Sequence, residues 1–150
     1  MKLAQALIER ADLQKRIAQM KGRLQLNAKV QEGEKPSEEP EKLLKELDAL
    51  TGELETLIAR INRTNTSALD GGETMTALLA RRDCLRMKTD ILRSFLEEAG
   101  SLVLRGTKSE VVVRSTVDVA ALQKRVDGLS KELRALDVRI QAANWATELI

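Results

Sequence analysis

The 150-residue chain carries 25 basic and 23 acidic residues, and its net charge of +2 is too small to point to a polyanionic partner. One Phe, one Trp and no Tyr leave Leu, Ile, Val, Ala and Met to build the core, a composition that suits helix-on-helix packing rather than a β-sandwich. The absence of His and the single Cys84 exclude an internal disulfide and the Ser/His/Asp and Cys/His nucleophilic arrangements, and no apolar run reaches the roughly 20 residues that span a bilayer.

Apolar residues recur at alternating steps of three and four, which places them on one face of a helix. The first helix is predicted over residues 2–30, with Leu3, Ala6, Leu13, Ile17, Met20 and Leu24 in its seam and Arg10 in the slot between Ala6 and Leu13. Gly33, Pro36 and Pro40 separate it from a second helix over residues 41–66. That helix carries Leu43, Leu47, Leu50, Leu54, Leu57 and Ile61 before its stripe meets Thr64 and Asn65. A turn at Asp70, Gly71 and Gly72 leads to a third helix over residues 74–99, with Leu78, Leu85, Leu92 and either Phe95 or Leu96 inward, and Gly100 as its C-terminal cap. Leu102–Leu104 and Val111–Val113 read as two strands about Gly106, a β-hairpin over residues 102–114. Asp118 caps the fourth helix, residues 118–144, whose stripe runs Val119, Leu122, Val126, Leu129, Leu133, Leu136, Ile140 and Ala143 before Asn144. The expected fold is a mainly α single domain, residues 1–150: an antiparallel four-helix bundle of long coiled-coil-like helices with a short β-hairpin between the third and fourth.

Charge sorts by arm. Residues 1–31 hold seven basic and two acidic side chains, while residues 32–57 hold nine acidic and three basic ones, so the first two helices are complementary arms of an antiparallel hairpin. The acidic arm neutralises the basic one, and nucleic-acid binding is therefore an alternative rather than the preferred reading. A two-stranded hairpin is marginal alone in water, so it must pack on the bundle or add to an equivalent hairpin of another subunit. Leu7, Ile8, Ala11 and Ala18 also give the first helix more apolar width than one neighbour needs. Both features point to a homo-oligomer, with Val111, Val112, Val113 and Trp145 as candidate interface residues.

In an up-down-up-down bundle the polar breaks in the stripes fall at one end. Arg10, Asn65, Arg81 or Arg82, and Asn144 interrupt the four seams, with Glu9, Asp12, Asn62, Asp83 and Glu148 nearby. A polar residue at a seam position commonly fixes register, and this role is preferred to a ligand site. A metal there would need oxygen ligands, and Glu9, Asn62 and Asp83 could offer them to Mg, Mn or Ca. Arg81 and Arg82 oppose that, since they compete for the carboxylates or favour an anion. No cofactor is expected. Cys84, flanked by Arg81, Arg82, Arg86 and Lys88, reads as a small helix residue before a redox-sensitive thiol, and the Arg105–Lys108 turn as a solvated tip before a phosphate contact.

The opening MKLAQALIERADLQKRIAQMKGRLQLNAKVQEGEKP, the runs LIARINRTN and LLARRDCLR, and the closing VDVAALQKRVDGLSKELRALDVRIQAANWATEL together resemble a bacterial family labelled septicolysin. The resemblance implies a helical cytoplasmic protein of poorly defined role, with a membrane-active cytolysin suggested by the label. The reading from the residues is a self-associating cytoplasmic scaffold or binding module rather than an enzyme. Its alternatives are an oligomer that binds nucleic acid or anions, a metal-dependent hydrolase at the polar bundle end, and the cytolysin.

Overall fold

The computed structural model describes residues 1–67, 69, 71–101 and 112–150. It is mainly α, with α1 (Leu3–Leu26), α2 (Pro40–Thr66), α3 (Met75–Gly100) and α4 (Val119–Ala146). The chain divides into two compact units. Met1–Met75 with Ala142–Ile150 makes the first, and Thr76–Gln141 the second.

In the first unit α1 packs on α2. The seam spacing selects what is buried: Leu3, Ala6, Leu13 and Met20 on α1, and Leu43, Leu50, Leu57 and Ile61 on α2, are all buried. Each of these Leu, Ile and Met side chains contributes about 1.5–3 kcal/mol of transfer free energy, so the stripe supplies the stability of the pair. Charge then sets direction. The Arg23 guanidinium donates to Glu38 Oε1 and Oε2 at 2.7 and 3.1 Å and to Glu46 Oε1 and Oε2 at 3.0 and 3.1 Å, so one basic residue of α1 grips two acids of the opposing arm.

α1 ends at Leu26 rather than Val30 because Asn27 serves as its cap. The Asn27 amide Nδ2 donates to the Arg23 carbonyl at 2.8 Å, and its Oδ1 accepts from the Glu38 backbone N–H at 2.9 Å. One side chain thus closes the helix and holds the entry to α2. Gly33, at φ +85°, supplies a left-handed turn in the connection, and Pro40 occupies the first turn of α2, where its missing N–H costs nothing.

In the second unit α3 and α4 run side by side, linked by Arg93 to Ser130 Oγ at 3.2 Å and Arg86 to Asp137 at 3.9 Å. Leu78, Val126, Leu136 and Ile140 are buried. Thr89 is buried in the α3 seam without penalty, since its hydroxyl donates to the Leu85 carbonyl at 2.7 Å. Of the two residues expected inward near the end of α3, Leu96 is half-buried and Phe95 is exposed. The expected Asp118 cap is present, its Oδ1 accepting from the Ala121 N–H at 3.1 Å.

The β-hairpin expected over residues 102–114 is not supported. Among the described residues there is no strand, only an isolated bridge between Lys2 and Glu148. Val112 and Val113 are 72% and 69% exposed, so no second layer covers them, and an isolated β ribbon without one does not hold together. Residues 102–111, Val111 among them, lie outside the described residues. The hairpin therefore no longer argues for self-association.

Candidate functional site

The polar end of the first unit is built by a chain-end clasp. Met1 and Lys2 run antiparallel to Thr147–Leu149, with Leu3 N–H donating to the Thr147 carbonyl at 2.9 Å and Leu149 N–H to the Met1 carbonyl at 2.8 Å. The Lys2 ammonium reaches Glu148 Oε1 at 2.6 Å and also donates to the Ala146 carbonyl at 3.1 Å, while the amino terminus reaches Glu148 Oε2 at 3.2 Å. α2 holds the last residue. Thr64 Oγ1 accepts from Ile150 N–H at 3.0 Å and donates to the Arg60 carbonyl at 2.9 Å, and Arg60 Nε donates to the Ile150 carbonyl at 3.2 Å. Thr64, where the α2 stripe turns polar, is thus a buried anchor with both hydrogen-bonding roles used.

Two grooves flank α2. One, about 420 Å³, is lined by Met1, Glu9, Gly52, Glu53, Thr56, Leu57 and Arg60. The other, about 470 Å³, is lined by Thr51, Leu54, Glu55, Ile58, Ala59 and Asn62. Glu9 and Asn62, both placed at the polar end by sequence spacing, therefore line different grooves. Arg10, which follows Ala6 and precedes Leu13 along α1, is half-buried, and Asp12 lies on the exposed side with Arg16 at 3.9 Å. Asn65 is half-buried and Asn144 buried.

Arg81, Arg82 and Asp83 belong to the second unit. Arg82, rather than Arg81, is the partly buried one, and its guanidinium donates to Asp83 Oδ1 at 3.0 and 3.1 Å. Among the described residues no group of three or more His, Cys, Asp or Glu side chains gathers in the way that would hold a metal ion. Trp145 is exposed.

Spacing alone missed Arg23, Arg60 and Lys2. The sign reversal between the first two arms pointed to an Arg23-type clamp without saying which cation would form it, and nothing local marks Lys2 as the partner of a residue so distant in sequence.

The clasp and the clamp share an electrostatic signature. Hydrogen bonds from Lys2 and the amino terminus hold the Glu148 carboxyl below its ordinary value of 4.5, and the Arg23 guanidinium does the same for Glu38. A carboxylate whose pKa is depressed by folding stabilises the fold above its unfolded value and loses that contribution as pH falls through the folded one. Melting temperature is therefore expected to hold near neutrality and decline on the acid side of 4.5, with a shallower acid decline in E38Q/E148Q than in the wild type. Parallel slopes in the two proteins would show that neither pair is formed in solution.

Residues 10–149 match the Family of unknown function (DUF6847). A crystal structure from Corynebacterium diphtheriae, described as that of a functionally unknown conserved protein, is similar to this chain with 39% identity and a TM-score of 0.83, covering 100% of this chain and 99% of that one. No curated protein matches the chain. These findings overturn the resemblance to septicolysins, to which neither comparison points. The stretches that suggested it are heptad-spaced aliphatics separated by Glu, Lys and Arg, a pattern that long paired helices share whatever their ancestry. Among the described residues no helix is long and apolar enough to cross a membrane.

Proposed function

The chain belongs to this family of unknown function, and on that premise we propose that it is a self-associating helical scaffold of the cytoplasm, which works by docking rather than by turnover. One observation carries the reading. α3 leaves Met87, Ile91 and Phe95 at 64%, 63% and 44% exposure, on a face other than the one that buries Leu78 and Thr89. Large apolar side chains repeated along one helix face gain most by being covered, and contiguous apolar patches mark protein contacts on otherwise soluble surfaces. A reducing compartment is consistent with the free, exposed Cys84. Sedimentation velocity across a wide concentration range tests the proposal. The expected result is a reversible shift away from the 16.7 kDa monomer as concentration rises. A monomer at every concentration, with no partner helix competing for α3, would overturn it.

A further inference from the structure

The apolar stripe on α3 has a register as well as a location. Cys84, Met87 and Ile91 follow one another at steps of three and four, and Phe95 continues the row one turn later. All four are exposed. This row is separate from the positions Leu85, Thr89, Leu92 and Leu96, which are half-buried or buried, so α3 carries two apolar faces and the row is the exposed one.

The charges beside the second face are sorted by side. Arg81 and Lys88, seven residues apart, lie along one edge of the row, the edge that Phe95 continues, and Asp83, Asp90 and Glu97, again seven apart, lie along the other. Glu98, seven residues after Ile91, ends the row itself. A helix with one basic and one acidic edge has a definite preference when it meets a copy of itself. In an antiparallel pair each edge faces the same edge of the other copy, setting cations against cations and carboxylates against carboxylates. In a parallel pair the acidic edge of each copy faces the basic edge of the other, and an acid meets the cation five residues further along, as Asp83 would meet Lys88. Asp83 and Asp90 already pair with Arg82 and Arg93 within the helix, and each carboxylate keeps acceptor positions for a second donor.

We infer that α3 pairs in parallel with α3 of a second copy through Cys84, Met87, Ile91 and Phe95, flanked by two symmetry-related Asp83–Lys88 contacts. This rests on the self-association proposed above and specifies its surface, direction and register. In this arrangement Cys84 lies on the two-fold seam opposite Cys84 of the second copy. The row from Cys84 to Phe95 spans about 17 Å of helix, a small contact, so the dimer forms reversibly and at high protein concentration rather than as an obligate pair.

The test combines sedimentation with thiol oxidation of the full chain. Wild-type protein treated with diamide is expected to give a covalent dimer through Cys84 at the concentrations where sedimentation shows the reversible one. C84S is expected to lose the covalent product and keep the reversible dimer. K88E sets an acid against Asp83 at both contacts and should weaken the dimer about tenfold, with disulfide formation falling in step. The exchanged pair D83K/K88E should restore both. These positions are exposed, and circular dichroism confirms that each variant stays helical. A dimer that is indifferent to K88E and not linked through Cys84 would overturn this register while leaving self-association standing. A protein that remains monomeric and is not linked at any concentration would remove both.

Discussion

Leu13→Ala is expected to be among the most destabilising single substitutions in the chain, at about 2–5 kcal/mol. Leu13 is 1% exposed in the middle of α1, and its neighbours along the seam, Ala6 at 0% and Met20 at 1%, are as closed as it is. Truncation removes the transfer free energy of the side chain and leaves a void between two helices whose backbones are tied together by the Arg23 clamp at one end and by the chain-end clasp at the other. Both ties oppose the collapse that would fill the void, which places the expected loss toward the upper part of that range. The matched control is Ile8→Ala on the same helix. Ile8 is 63% exposed, so its truncation should stay within about 0.5 kcal/mol of wild type. Urea unfolding followed by circular dichroism measures both. Equal midpoints for the two variants would mean that the α1 seam does not carry the first unit.

What spacing could and could not say follows from how far each interaction reaches along the chain. The seams were legible because a helix repeats its environment every three or four residues, so a row of Leu, Ile, Val and Met declares its own face. Helix ends were legible where a local residue sets them, as at Pro40 and Asp118, and illegible at α1, where Asn27 closes the helix by reaching Glu38 across the connection. The choice between Phe95 and Leu96 turned on a polar residue. Counting only apolar positions, either fits; counting Thr89 as a seam position, the alternation Leu85, Thr89, Leu92, Leu96 selects Leu96 and releases Phe95 to the exposed row. The hairpin was overread for the converse reason: a β-branched run states a preference for a pleated surface but cannot supply the layer that covers it. At the polar end the α2 stripe meets Thr64 and Asn65 and the α4 stripe meets Asn144; Thr64 and Asn144 are buried and Asn65 is half-buried. The stripes could not assign their partners. The residues that complete the Thr64 anchor and the Glu148 pairing come from opposite ends of the chain, and the pairing is set by where two helices finish rather than by any repeat within them.

That dependence gives the chain-end clasp a testable weight. Removal of residues 148–150 is expected to cost the first unit about 2–4 kcal/mol, from the burial of Leu149 and the loss of two hydrogen bonds that close on Met1 and Thr64. Leu149 is 8% exposed, so its side chain is a core member although it lies beyond the end of α4. Thr64 is spared the worst outcome, because its hydroxyl keeps the Arg60 carbonyl as an acceptor when Ile150 is gone. The exposed Lys2–Glu148 contact adds little at neutral pH, as surface ion pairs do. The expected order of loss is therefore the truncation first, L149A close behind it, and E148Q well below both. Urea midpoints at neutral pH give that order directly. If E148Q matched the truncation, the clasp would be electrostatic and the burial of Leu149 incidental; with L149A carrying most of the loss, the apolar side chain holds the end of the chain in place and the charges around it only choose its register.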